Sequence, residues 1–144
     1  MFILVRLAAA AAVAVAAFAA ITWWALEWDG VMVVASRAQD GTLRETHIWY
    51  AESGERLWLE AGLPENAWYQ DVQRDPRVTL SAEGLFGEYE LASVPGRIAA
   101  DHVRTLMREK YGLRDRWVLF FVDASRTTAV LATPALPTNR PWQK

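Results

Sequence analysis

Apolar residues are spread unevenly along this chain, and the pattern changes character near residue 30. From Leu7 to Leu26 the run LAAAAAVAVAAFAAITWWAL is uncharged. At about 1.5 Å per helical residue it reaches roughly 30 Å, the thickness of a bilayer's hydrocarbon core. The pattern predicts one transmembrane helix within residues 1–28. A cleaved signal peptide is the competing reading. Against it, the apolar residues begin at Met1 and Phe2, ahead of Arg6, and the run exceeds the roughly 7–15 residues of a signal core. Trp23, Trp24 and Trp28 gather where the run ends, the place amphipathic rings take at headgroup level. A short basic tail before a long apolar run leans towards a signal anchor, with the rest of the chain outside the cytoplasm.

Beyond Gly30 the period shortens to that of strands. Val31 to Ser36 is β-branched, and Asp40-Gly41 then suits a hairpin turn that needs φ > 0. The returning run, Thr42 to Ala51, places Leu43, Glu45, His47 and Trp49 on one face and Arg44, Thr46, Ile48 and Tyr50 on the other. Ser53-Gly54 turns the chain into a third strand, Arg56 to Ala61. Gly62 releases it, and Pro64 suits a first helical turn, with Asn66 as an alternative cap. The helix that follows carries Trp68, Tyr69 and Val72 at helical spacing, with Asp71, Gln73 and Arg74 on its wetter side. Asp75-Pro76 closes it.

Strands are predicted over Arg77–Ala82 and Glu88–Val94. A second helix runs from about Ala99 to Tyr111 with the stripe Val103, Leu106 and Met107, and two last strands cover Trp117–Asp123 and Thr128–Thr133. The expectation is an α+β domain over residues 29–134, a small split β-barrel of mostly antiparallel strands with two helices, preceded by one transmembrane helix. Residues 135–144 read as an extended proline-rich tail.

Composition removes several function classes. The chain has 144 residues, a formal charge of −2 and no basic stripe, so nucleic acid is not an expected partner. Without cysteine there is no thiolate nucleophile, disulfide or iron–sulfur cluster, and His47 and His102 alone cannot build a histidine-rich metal site. No Gly-x-Ser-x-Gly elbow or phosphate-cradling glycine loop is present.

The segment Ala67-Trp68-Tyr69, a short polar helix, then Asp75-Pro76-x-Val78 resembles the deazaflavin-dependent nitroreductase and quinone reductase family. A second, shorter match runs from Gly41 through Arg44 and Thr46. The resemblance covers roughly residues 31–133. It implies the split barrel shared with pyridoxamine phosphate oxidase-like flavin reductases, and a groove for a deazaflavin lined by the first strands and first helix. The family's Gly-Arg-Lys-Ser-Gly turn, which grips the cofactor's phosphate, is here Arg37-Ala38-Gln39-Asp40-Gly41, with the paired cations lost and an acid gained. The implied cofactor contacts are Gly41, Arg44 and Thr46, with Arg37 and Arg116 as further anchors, His47 where the family often has proline, and Trp68 and Tyr69 as walls.

Two readings stand for several of these residues. Trp68 and Tyr69 either stack on a flavin-type ring or fill the core. His47 either meets the cofactor as a proton source or is an ordinary strand histidine. Glu65 and Asp71 are expected as helix-surface charges, His102 as a solvated residue, and the charges of Arg108–Trp117 as a helix C-terminus answering its dipole.

Two functions follow. One is a membrane-anchored oxidoreductase passing hydride from deazaflavin or FMN to a quinone or nitro-aromatic acceptor. The other is a cofactor-free split barrel serving as an accessory or binding subunit of a larger membrane complex. A homodimer is a further expectation for this fold class.

Overall fold

The computed structural model describes residues 2–27 and 30–135. Trp28 and the tail from residue 136 onward lie outside them. Helix α1 spans Phe2–Glu27, and its segment Val5–Trp24, with a mean hydropathy of 2.0 and none of it buried, is long and apolar enough to cross a membrane. The domain that follows runs β1 (Val31–Arg37), β2 (Leu43–Ser53), β3 (Arg56–Ala61), α2 (Ala67–Arg74), β4 (Arg77–Ala82), β5 (Leu85–Val94), α3 (Arg97–Tyr111), α4 (Leu113–Leu119) and β6 (Thr128–Pro134). All neighbouring strands are antiparallel and close into a barrel in the order β1-β2-β3-β6-β5-β4.

The alternation in β2 does what its pattern predicts. Ile48 and Tyr50 enter the barrel with Met32, Val34, Leu57, Leu59, Leu80 and Val130, while Ala51 and Trp58 point outward to a second cluster under α3, with Val103 and Met107. The β1–β2 turn holds Gly41 at φ 86°, where a side chain would be strained. Asn66, two residues after Pro64 and directly after its turn, is the N-cap position of α2 without a side-chain cap hydrogen bond, so Pro64 precedes the helix, which ends at Asp75, held extended (φ −134°) before Pro76. It closes one end of the barrel with Trp68 and Val72.

Asp71, expected on the wet face of α2, is buried with them. It accepts hydrogen bonds from Ser36 Oγ (3.1 Å) and Arg44 Nε (2.8 Å), and from Arg74. A carboxylate can be buried there because three donors replace its water.

The segment expected as a strand over Trp117–Asp123 folds differently. It is the end of α4 and a helical turn, with the Phe120 amide bonded to the Trp117 carbonyl at 3.2 Å, and the Phe121 and Val122 amides to Val118 at 3.0 Å. A short run of apolar residues has no polar positions to reveal its period, so a helix with two apolar faces reads like a strand. The domain therefore has three α-helices, and six strands suffice to close it.

Tyr111, the last residue of α3, completes the ladder where β1 begins. Its hydroxyl sits between the carbonyls of Gly30 (2.5 Å) and Tyr50 (3.0 Å) and accepts the Tyr50 amide at 3.0 Å. Its ring stacks on Trp49 at 4.3 Å. Burial, the largest influence, pushes its pKa well above the usual tyrosine range. Tyr111→Phe leaves the Tyr50 backbone groups without this partner and is expected to cost about 1–3 kcal/mol, read as a lower denaturant midpoint for the full chain in detergent. Because the folded pKa lies above the unfolded one, the wild-type contribution is complete below about pH 10 and is lost as pH rises through and beyond it. Stability measured across that range should fall more steeply for wild type than for Tyr111→Phe.

Candidate functional site

The two strands of the β2–β3 hairpin differ in length, eleven residues against six. Only Tyr50–Ser53 of β2 pair with β3; from Trp49 back, β2 pairs with β1 on one side and with no strand on the other among the described residues. The barrel is split along this seam, and a groove of about 540 Å³ occupies it. Six consecutive β2 residues, Arg44 to Trp49, form one wall. Glu60, Gly62 and Trp68 form the floor and far side, and Val118, Leu119 and Val122 from α4 and its turn close over it. An unpaired strand edge of this kind presents backbone N–H and C=O groups to whatever fills the groove.

Two charged trios frame it. At one end Arg104 reaches from α3 between Glu60 (2.6 Å) and Asp115, and Thr127 Oγ1 donates to Glu60 at 2.9 Å. Burial works against the Arg104 charge, but the hydrogen bond to Asp115 and the fields of both carboxylates outweigh it and raise its pKa. The trio carries one positive and two negative formal charges. Asp115 is 1% exposed, and its Oδ2 has no hydrogen-bond partner although the residue lines the groove. At the other end Asp71 is shared by Arg44 and Arg74, whose side chains are 43% and 44% exposed. This trio holds two positive charges against one. The groove thus runs from a net-negative, buried end with a spare acceptor to a wetter end where Arg44 lines it beside Glu45, with Asp71 and Arg74 behind the lining.

Of the residues named from sequence, Arg44, Thr46, His47 and Trp68 line this groove together. Trp68 fills the core, one of the two readings considered for it: it is 4% exposed within the barrel while lining the groove. Tyr69 lies elsewhere: it packs partly buried against Trp68 and shares a hydrogen bond with Ser93 at 2.9 Å, in a separate groove beside α3. Gly41 shapes the turn beyond the groove's end, where Arg37 Nη1 donates to its carbonyl at 3.0 Å. His102 is exposed with its ring edge-on to Trp58, and Glu65 forms a surface pair with Arg126. The Glu60–Arg104–Asp115 trio had no signal in the spacing of its members, which come from a strand and two helices. The charge density of residues 108–117 was its only trace.

No family model matches this chain, and no curated protein matches it. Solved structures do. It is similar to a protein provisionally assigned to 5-nitroimidazole antibiotic resistance from Bacteroides thetaiotaomicron (10% identity, TM-score 0.57, covering 76% of this chain and 75% of that one). It is similar also to a provisionally assigned pyridoxamine 5'-phosphate oxidase from Listeria innocua (15%, 0.55, 78% and 89%) and to HutZ, the heme storage protein from Vibrio cholerae (10%, 0.56, 78% and 86%). At such identities the likeness is one of fold: the chain has the split-barrel fold of these neighbours.

Removing the shared cation tests the negative end. Arg104→Met leaves Glu60 and Asp115 buried without their counter-charge and is expected to destabilise the protein by about 3–5 kcal/mol. Adding Glu60→Gln and Asp115→Asn to that variant should recover much of the loss, as read from denaturant midpoints.

Proposed function

We propose that this is a membrane-anchored oxidoreductase-like protein, held to the bilayer by α1, whose seam groove binds a flavin-type ring such as deazaflavin or FMN. The observation that carries the reading is the groove's polarity. A flavin-type ring has N–H and C=O groups on its rim and an anionic phosphate on its tail. The Asp115 oxygen with no partner suits a ring N–H, the free β2 edge suits ring carbonyls, and the Arg44 guanidinium, which lines the far end, suits the phosphate. Residues and group therefore fit. When bound, the ring would supply hydride transfer to a quinone or nitro-aromatic acceptor; the chain's own residues bind it, orient it and exclude water.

Val118, Leu119 and Val122 shield one side of the groove from solvent, and His47 stands at the wall on the exposed face of β2. The names of the fold's neighbours, an oxidase and a nitroimidazole-resistance protein among them, support a redox role. One observation favours the second reading, a cofactor-free accessory subunit: Arg44 already has a carboxylate partner in Asp71.

The full chain in mild detergent, titrated with FMN and with riboflavin while tryptophan fluorescence is followed, separates these readings. Saturable quenching is expected with both. Arg44→Ala should weaken FMN about tenfold or more and leave riboflavin unchanged, since only FMN carries the phosphate. Asp115→Asn, which turns an acceptor edge partly into a donor, should weaken both. A protein that binds neither FMN, deazaflavin nor haem would be the accessory subunit.

A further inference from the structure

Helix α4 and the turn after it have two apolar faces with different surroundings. Asp115, Val118, Leu119 and Val122 recur at i, i+3, i+4 and i+7 and line the groove. Leu113, Trp117, Phe120 and Phe121 recur at i, i+4, i+7 and i+8 and form the opposite stripe. That stripe is left open: Leu113 is 72% exposed, Phe120 83% and Phe121 56%. Single exposed apolar residues are ordinary, but a contiguous patch of this kind marks a surface that meets something.

What it meets is indicated by α1. Phe18 packs edge-on to Phe121 with ring centroids 5.6 Å apart and lies 5.8 Å from the Trp117 ring, and Trp117 Nε1 lies 3.4 Å from Thr22 Oγ1. Phe18 and Thr22 belong to the last turns of the apolar segment Val5–Trp24. The patch is thus continuous with the lipid-facing surface of that segment, at the level where it ends. Arg116, exposed on α4 three residues after Leu113 and four before Phe120, brings a cation beside the apolar stripe, a composition found in helices that lie in an anionic membrane surface.

We propose that α4 with its following turn is a membrane-surface element. Leu113, Trp117, Phe120 and Phe121 enter the boundary between headgroups and acyl chains beside α1. The occupant of this face is the bilayer itself. Because the other stripe of the same helix walls the groove, the groove stands at the membrane surface, and a ligand dissolved in lipid reaches it around α4 without crossing water. The proposal rests on the reading that α1 spans the membrane, and goes beyond it in fixing which face of the domain touches lipid.

The absence of cysteine allows a direct test. Single-cysteine variants of the full chain, Phe120→Cys, Phe121→Cys, Val13→Cys within α1 and Ile98→Cys, are labelled with an environment-sensitive fluorophore. They are then reconstituted into phosphatidylcholine–phosphatidylglycerol vesicles with or without doxyl-labelled lipid. Ile98 is the control, an 89% exposed apolar residue at the far end of α3, roughly 20 Å of helix from Tyr111. Shallow doxyl groups should quench the labels at 120 and 121 at least twofold, deep ones the label at 13, and neither the label at 98.

If 13 is quenched but 120 and 121 behave like 98, the surface role of α4 is overturned while the anchor survives. If 13 is also unquenched, the anchoring reading falls and this proposal with it. Labels at 120 and 121 that escape doxyl lipid yet are shielded from aqueous iodide would mean that protein, such as a second copy, covers the face, and would overturn the bilayer as occupant. Quenching of the label at 98 equal to that at 120 would remove the orientation and overturn the proposal too.

Discussion

A mismatch in strand length governs this structure. The β2 strand runs on for seven residues past the last one that β3 can pair, and an unpaired edge of that length is a liability if left open to other chains. The chain covers it with α4 and the helical turn after it, and lines the space beneath with the side chains that the divergence of β2 and β3 leaves facing each other. The seam is the groove. Its walls are fixed by the two strands, which the barrel's closed hydrogen-bond network holds in register, so the site sits on a rigid frame.

The charges inside follow from the same geometry. Glu60 is the penultimate residue of β3, where the outward face is covered by α3 instead of water, and Arg104 is the residue of α3 that reaches it. Asp115 arrives on the next helix and takes the second arm of the same guanidinium. One cation cannot match two carboxylates, and the surplus is a negative end with an acceptor to spare. At the barrel's other end the arithmetic is reversed, since Asp71 serves two arginines. Buried charge of this kind contributes little net stability, because desolvation offsets attraction. What it fixes is how charge is distributed around the groove.

Helix α4 joins these arrangements to α1. A seven-residue helix apolar on both faces would be unstable alone in water. It persists because one face packs over the groove and the other packs beside Phe18.

Much of the architecture was legible in the sequence. The uncharged run before Leu26, the Asp40-Gly41 turn, the alternation of Arg44 to Tyr50 and the Asp75-Pro76 stop each specify local structure through backbone preference or periodicity, and the helix and strands they predict are where they were expected. Arg44, Thr46, His47 and Trp68 could be marked as a group because neighbours on a strand and the residues of one motif stay close in space. Other features were decided only by the folded chain. The run Trp117–Val122 has no polar residue to betray its period, so its helix and its two-faced role depend on what lies on either side. Asp71 reads as a surface charge until Ser36 and Arg44 close on it, and Glu60, Arg104 and Asp115 are joined by no spacing at all. Local preference acts over a few residues. A seam, a buried ion trio and a groove are made by contacts between residues far apart in the chain, and these exist only once the barrel has closed.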